Sequence, residues 1–352
     1  MTAPRFGKRQ ATGSSGRHAP RLSNVWIAGT LALIVAVAVG CGIYWIVEHL
    51  EEGEAKAGES IRSTLAMLTL IAAIFAGVYA YRKQRIAESE ADRADDKQLL
   101  ERYTSAAEQL GHTMAAVRLA GVYAMAQLAD EWLEQRQVCI DVLCAYMRMP
   151  FERDEASDNH KPGEREVRQT IIRVIHSHLQ DPQSPTSWSE SDFDFTSARF
   201  EGADFSDCHF HGKVSFKLVI FDMWFNFTNS VFKGTTSFAA ARFYAGGTTI
   251  FNGAQFSGGD VYFNALFGGA KVSFEGANFS SVMMNFKALI TDGEVSFNGA
   301  TFSGSEVDFA AAFEGGTVSF DGAQRDGGTV SFDGAEYGGT RIIWGEFSPS
   351  LS

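Results

Sequence analysis

The sequence is poor in cysteine and proline, with four cysteines and seven prolines among 352 residues. Cys41 lies in an apolar run, Cys139 and Cys144 are five positions apart in a helical pattern, and Cys208 stands by itself. No pair has the spacing of a zinc site or of a disulfide framework. We therefore expect buried thiols in a reducing cytoplasm.

Motifs that mark enzymes are also missing. No glycine-rich loop ends in Lys-Ser/Thr, and there is no nucleophile elbow or metalloprotease helix. His176 and His178 are two positions apart on a predicted helix and diverge, and His209 and His211 point outward on either side of Phe210. The sequence predicts no catalytic residues, no cofactor, no metal site and hence no enzymatic activity.

Charge is absent from two long apolar runs, residues 25–47 and 64–81. Each is long enough to cross a bilayer as a helix, which predicts two transmembrane helices joined by a short external loop at 48–63. Basic residues lie in the leader at 1–24, which we expect to be disordered, and again at 82–85 just after the second run. By the positive-inside rule, both termini are cytoplasmic. The expected location is the cell membrane, as a two-span protein.

Two alternatives to a simple two-span anchor remain. The letters VAVGC ending at Cys41 are weakly similar to a lipoprotein cleavage site, although Ala38 is small for one and the apolar run continues to Val47. Each run has a stripe of small residues at four-residue spacing, at 28, 32, 36 and 40 in the first and at 72, 76 and 80 in the second. The stripes favour packing of the two spans on each other, and the alternative is a stripe that also forms a homo-oligomer.

Phenylalanine is abundant, with 29 copies, and it recurs regularly after residue 190. From Phe195 to Phe210 the step is five residues, with a small residue two positions before each of the last three rings. From Phe251 the spacing lengthens to a cycle of 23 residues, repeated three times. A period of this length indicates a solenoid, whose units must stack to bury their apolar side chains.

The alternation of small residue, spacer and Phe places both apolar residues on one side of an extended segment. Polar residues between them, such as Asn252, Gln255, Glu275, Asn278 and Thr301, point outward. We predict a structural ladder of inward phenylalanines: Phe195, Phe200, Phe205, Phe210, Phe251, Phe256, Phe263, Phe274, Phe279, Phe297, Phe302, Phe309, Phe320 and Phe332. Arg325 occupies a ladder position. Since an unpaired buried charge is costly, its side chain should reach solvent, or the coil should be frayed there.

This pattern resembles the pentapeptide-repeat family over residues 191–347. The resemblance implies an all-β right-handed quadrilateral β-helix, a solenoid with a small residue at one inward position and Phe or Leu at the next. At about 4.8 Å per coil, roughly seven coils would form a rod on the order of 33 Å long. Extra residues at two corners of each 23-residue coil leave its cross-section open.

Between the apolar runs and the repeats, residues 82–150 predict a helical stalk followed by two or three packed helices. The segment ERYTSAAEQLGHTMAAVRLAGVYAMAQLA resembles the helices that precede the repeats in membrane-anchored bacterial pentapeptide-repeat proteins of actinobacterial type. Its second half is also similar to one half of a HEAT-type hairpin. After a linker at 151–164, an amphipathic helix at 165–180 is expected to cap the open lower end of the β-helix.

Net charge is −12, and residues 191–352 hold 18 Asp and Glu against 9 Lys and Arg. Because the sequence has no motif for catalysis, cofactor binding or metal binding, it favours a non-catalytic, membrane-tethered scaffold or protein-binding module. This module would present an acidic rod in the cytoplasm. Its expected partners are the lipid bilayer and a protein of unknown identity, with no direct nucleic-acid binding. The alternative, implied by the family resemblance, is a DNA mimic that modulates a type II topoisomerase or another nucleic-acid-binding protein.

Overall fold

The computed structural model describes residues 56–154, 156–157, 160–280 and 282–345, together with residues 38, 41, 42 and 45. The predicted leader, and the first predicted span apart from those four positions, lie outside the described residues. So do most of the predicted loop and residues 346–352. The chain divides into two compact units, Met1–Asp96 and Lys97–Ser352.

The longest element is helix α1, Lys56–Leu110. It begins within the segment predicted as an external loop and contains the second predicted span, 64–81. By length and composition, one helix among the described residues, Leu65–Leu110, could cross a membrane, and its most apolar window is not buried. Large side chains such as Leu65, Phe75 and Tyr79 are exposed there. The two-span anchor as a whole remains a prediction.

The second unit opens with a helical domain. After the end of α1 come α2 (Ala115–Glu131), a 3₁₀ turn (Leu133–Gln135), α3 (Arg136–Arg148) and α4 (Glu164–Leu179). Apolar residues three and four apart give each helix one buried face, because such residues share a side of the helix. In α4 the face comprises Val167, Ile171, Ile175 and Leu179. The predicted helical middle of the chain is thus confirmed.

The rest of the unit is a β-solenoid of seven coils with four faces, and all of its described strands pair in parallel. Face 1 contains Phe193–Asp194, Val214–Ser215, Thr236–Ser237, Val261–Tyr262, Met283–Asn285, Glu306–Asp308 and Thr329–Ser331. These strands open coils 1 to 7 in that order. Face 4 contains His209–Phe210, Val231–Phe232, Gln255–Ser257, Asn278–Ser280, Thr301–Ser303 and Gln324–Asp326.

Faces 2 and 3 join into one 11-stranded sheet. Face 2 contains Ile220–Phe221, Arg242–Tyr244, Ala312–Phe313 and Glu336–Tyr337, and face 3 contains Ala203–Asp204, Trp224–Asn226, Thr248–Ile250, Thr317–Ser319 and Arg341–Ile343. In coils 4 and 5 a single strand, Leu266–Ser273 or Leu289–Ser296, runs through both faces. Four short sides per coil therefore describe most of the solenoid, whereas these two coils merge two of them.

The corner between faces 3 and 4 shows why glycine recurs in the longer repeats. One residue in each of coils 1 to 6 adopts a left-handed backbone there: Asp207, Asn229, Gly253, Gly276, Gly299 and Gly322. Glycine reaches this conformation without a Cβ clash, and Asp and Asn tolerate it better than other residues. The corner keeps the same backbone throughout, although its sequence changes after coil 2.

The stacking predicts a large loss of stability when a central ring is removed. Phe274 is fully buried, and its ring centroid lies 4.8 Å from those of both Phe251 and Phe297. We expect Phe274→Ala to lower the free energy of unfolding by about 3–5 kcal/mol, measured by urea denaturation with far-UV circular dichroism. Phe332→Ala, at a half-buried ring of coil 7, should cost clearly less. Equal losses at both positions would contradict this account.

Candidate interaction surface

Columns of stacked apolar side chains fill the interior of the solenoid. All predicted ladder residues are fully buried, except Phe332, which is half-buried. One column lies at the end of face 1, where each ring directly follows the face 1 strand of its coil: Phe195, Phe216, Phe238, Phe263, Phe286, Phe309 and Phe332. Centroid distances along it run from 4.6 to 5.8 Å. The aromatic rings have no polar atoms, so they fill space and leave recognition to the outer surface.

Eleven interior phenylalanines of the solenoid are absent from the predicted ladder: Phe193, Phe216, Phe221, Phe225, Phe227, Phe232, Phe238, Phe243, Phe267, Phe286 and Phe313. Most lie in coils 2 and 3, where insertions at corners break both the five-residue step and the 23-residue cycle. Register along the stack identifies them, as for Phe232, which pairs with ladder residues Phe210 below and Phe256 above. The available signal was alternation within each short strand rather than spacing between strands.

Arg325 occupies the face 4 column, in register with Phe302. Its side chain is exposed, in keeping with the expectation that the charge reaches solvent rather than entering the core. The column of rings therefore ends at coil 5, and from coil 6 upward this face no longer carries an apolar interior residue at that position.

The base of the solenoid is covered by the helical domain. Carbonyl groups of coil 1 accept hydrogen bonds from side chains of the helices and of the segment that joins them. These donors are Gln137 to Asp192, Arg148 to Asp194, Arg153 to Phe200, Arg168 to Arg199 and Gln169 to Glu201 and Gly202. Because an open strand edge would otherwise offer unpaired backbone groups to another chain, these contacts close that end to further β-pairing.

A buried charge cluster holds this junction together. Arg118 and Arg168 are 2% and 1% exposed, and both contact Glu164, with N–O distances of 3.5 and 2.9 Å. Tyr146 donates a hydrogen bond of 2.8 Å to the same carboxylate. Burial and this hydrogen bond raise the pKa of Tyr146. Arg168 also donates to the carbonyl oxygens of residues 147, 149 and 199. The cluster thus connects three helices to coil 1.

Outward side chains form regular columns, because parallel strands in register stack about 4.8 Å apart. On face 4 the outward residues of coils 1 to 5 include no carboxylate among the described residues: His209, His211, Val231, Lys233, Gln255, Ser257, Asn278, Ser280, Thr301 and Ser303. Acidic residues lie on face 1, at the corner between faces 2 and 3, and at the corner between faces 3 and 4, where Asn252 donates to Glu275 at 3.5 Å. The other predicted outward residues are likewise exposed or half-buried.

A family model described as pentapeptide repeats (8 copies) matches residues 191–212, the segment that forms coil 1 and its return to face 1. The match and the four-sided stack agree on the architecture. This chain is a pentapeptide-repeat protein. No curated protein matches the chain. The family match covers the strict five-residue step, and the register of the strands extends the pentapeptide-repeat solenoid upward to Trp344.

Three cysteines and two histidines of this pentapeptide-repeat protein are engaged in structure. Burial raises the pKa of Cys139 to about 11 and that of Cys144 to about 12, and it also raises the pKa of Cys208. These thiols stay protonated and unreactive at neutral pH. His176 contacts the carbonyl oxygen of Ser206, whereas His178 contacts Asp130. Among the described residues, no group of three or more His, Cys, Asp and Glu could hold a metal ion.

Removing a guanidinium from the buried cluster should weaken the junction strongly. Arg168→Ala leaves carbonyl groups without donors and unbalances the remaining Glu164–Arg118 pair. We expect a loss of about 3–5 kcal/mol in the free energy of unfolding, as for other broken buried ion pairs. Arg173→Ala is the matched control, since its pair with Glu166 is exposed and should contribute less than about 1 kcal/mol. Chemical denaturation of both variants tests this, and similar losses would refute the assigned role of Arg168.

Proposed function

We propose that this pentapeptide-repeat protein is a non-catalytic, membrane-tethered binding module whose solenoid recognises a protein partner. The observation that carries the proposal is the division of roles within each coil. Apolar residues are committed to the interior, while outward residues stand in columns along flat faces. Solenoids use such extended surfaces for recognition, and interaction or scaffolding is the role that the pentapeptide-repeat fold suggests.

The distribution of charge supports a protein partner over mimicry of DNA. Although acidic residues are twice as numerous as basic ones in 191–352, exposed basic residues occur on every face, such as Lys213, Arg242, Lys271 and Lys233 for faces 1 to 4. A DNA-like surface requires a continuous run of negative charge, since closely spaced phosphates dominate the binding of proteins to DNA. Mixed charge is suited instead to a protein surface of mixed charge.

Tethering is supported by the exposed apolar side chains of α1. Leu65, Leu70, Phe75 and Tyr79 are each at least 49% exposed, although water is a poor environment for such side chains. A bilayer would cover them. Together with the apolar run at 25–47, this leads us to propose two spans, an external loop and cytoplasmic ends.

The two-span topology predicts a specific labelling pattern. Cys41→Ala removes the one cysteine among the four that is exposed, and single cysteines are then introduced by Ser15→Cys, Gly53→Cys or Gln255→Cys. A membrane-impermeant maleimide added to intact cells should label only Gly53→Cys, because the leader and the solenoid are proposed to be inside. After permeabilisation, all three should react. Labelling of Ser15→Cys on intact cells would indicate a single span.

The binding role predicts a partner that depends on the solenoid. Full-length protein purified in mild detergent from its own membranes should retain a stoichiometric protein, and a chain lacking 191–347 should lose it, since the outward columns are deleted. A second variant, Arg173→Ala, keeps the solenoid but removes an exposed ion pair with Glu166 on α4 and should retain the partner. A partner that persists on the deleted chain would place recognition in the helices. With no partner and inhibited DNA supercoiling, the topoisomerase alternative would replace this proposal.

A further inference from the structure

The upper end of the solenoid has open strand edges. Among the described residues, the last strand of each face pairs only with the coil below it; these strands are Gln324–Asp326, Thr329–Ser331, Glu336–Tyr337 and Arg341–Ile343. The helical domain covers the base, whereas no element among the described residues covers this end. An open strand edge is a template for pairing with another chain. We call residues 323–344, which surround the upper end, the top turn.

The interior of the solenoid is incompletely covered at the top turn. Phe332 and Trp344 stack on Phe309 and Phe320 of coil 6, with ring centroids 5.0 and 5.6 Å apart. Both upper rings are only half-buried, whereas both lower rings are fully buried. Tyr337, which also points inward, is 54% exposed. The top turn therefore presents apolar surface inside a rim of open strand edges.

The backbone of the top turn directs hydrogen-bonding groups upward at fixed positions. On face 1, the N–H of Thr329 and the C=O of Ser331 bond to coils 5 and 6 below. Successive residues of a strand direct their backbone groups to opposite sides, so the N–H and C=O of Val330 point upward. On face 2, the residues on either side of Tyr337 donate to coil 6. The backbone groups of Tyr337 therefore point upward too.

We propose that the top turn is the interface of a homodimer in which two solenoids meet end to end. The two-fold axis is perpendicular to both rods and passes through the corner between faces 1 and 2 and the corner between faces 3 and 4. The chain winds in opposite directions in the two copies, so strands that meet across the interface are antiparallel. Face 1 of each copy meets face 2 of the other, and face 4 meets face 3. Such an isologous contact closes at two copies.

The shape of the top turn selects this axis. Among the described residues, faces 1 to 3 reach coil 7 and face 4 reaches coil 6, which leaves a step one coil high at the corner between faces 3 and 4. An axis through that corner fits the step of one copy against the step of the other. The two corners that the axis exchanges also match in length, because 326–329 and 338–341 each place four residues between inward positions.

The resulting register pairs the upward backbone groups. Val330 lies opposite Tyr337 of the other copy, and two residues that face each other in this way exchange two hydrogen bonds. The pair occurs twice because of the symmetry. Inside the rim, the ring of Phe332 lies opposite Ala335 of the other copy, so a large side chain meets a small one.

Charges on the rim support the same register. Exposed Asp326 lies opposite exposed Arg341 of the other copy, which gives two ion pairs related by the axis. Glu336 and Arg325 lie opposite uncharged residues, and both side chains are exposed at the rim. Asp333 lies beside the axis and close to its own equivalent, which makes it the like-charge contact of this arrangement. Opposite charges across an interface direct the register, and like charges oppose it.

The dimensions predict a weak dimer. A coil whose sides hold about five residues, at about 3.3 Å per residue, has a cross-section on the order of 400 Å² once its outward side chains are included. The total buried area is then about 800 Å², which is below the range of stable complexes. Association should therefore be reversible, and added salt should weaken it by screening the rim ion pairs.

A charge exchange tests the proposed register. Sedimentation velocity of full-length protein in detergent at low ionic strength should show a monomer–dimer equilibrium. Asp326→Arg and Arg341→Asp should each raise the dissociation constant by about tenfold, because each places like charges at both symmetric contacts. The double variant D326R/R341D should return it close to the original value. Asp333→Asn should lower the dissociation constant, because it removes the like-charge contact beside the axis.

The matched control is Arg242→Asp, which makes the same charge change as Arg341→Asp at an exposed position of coil 3 and should leave association unchanged. The proposal is overturned if the protein stays monomeric across the concentration range. It is also overturned if a dimer forms that the single changes do not weaken, or that the exchange does not restore. A dimer that forms only after deletion of 346–352 would overturn it too, because those residues would then cover the top turn in place of a second copy.

Discussion

The whole solenoid depends on one constraint, which is that no coil can bury its aromatic side chains by itself. Each ring contacts the ring above and the ring below, as Phe274 does with Phe251 and Phe297 at 4.8 Å. Ring stacking and backbone pairing require the same spacing between coils, because paired strands lie about 4.8 Å apart. The two interactions therefore reinforce each other, and a residue inserted into a coil must be accommodated at a corner, where neither is disturbed.

That constraint explains how much could be predicted from the sequence. The existence of the solenoid, its roughly seven coils and the inward direction of rings such as Phe205 and Phe297 follow from period and alternation. Coils 2 and 3 were not predictable in detail, because corner insertions changed the interval between Phe210 and Phe251 while the interior positions stayed filled. The interval between phenylalanines is regular only in coils whose corners carry no irregular insertion. Alternation within each short strand is the one sequence signal for Phe221 and Phe243, and the register of paired strands places both in the same interior column.

The helical junction was predictable as a cap but not as a charge cluster. The stripe at Ile171, Ile175 and Leu179 indicated a helix with one buried face, and that face is buried. Glu164 and Arg168 are four positions apart on α4, a spacing that allows them to pair. Nothing in the sequence indicates that Arg118 joins them, because it comes from α2, which a turn, another helix and a linker separate from α4. The coil 1 carbonyls require donors, and long flexible side chains such as Arg148 and Gln169 can reach several from one helix position. The open edge of coil 1 therefore explains why α3 and α4 carry long polar side chains on the faces that are turned toward the solenoid.

The separation of inward and outward residues also determines where functional information can lie. Interior positions are restricted to small residues and rings by packing, so they vary little along the stack and say little about function. Outward positions are not restricted in this way, and on face 4 they are polar, as solubility alone would favour. Solubility gives no reason for Leu266 and Leu289 to lie side by side on face 2, since aliphatic side chains gain nothing from exposure to water. Exposed Lys287 and Asp292 lie in the same coil as Leu289, so this outward pair is explained neither by packing of the interior nor by a continuous apolar face.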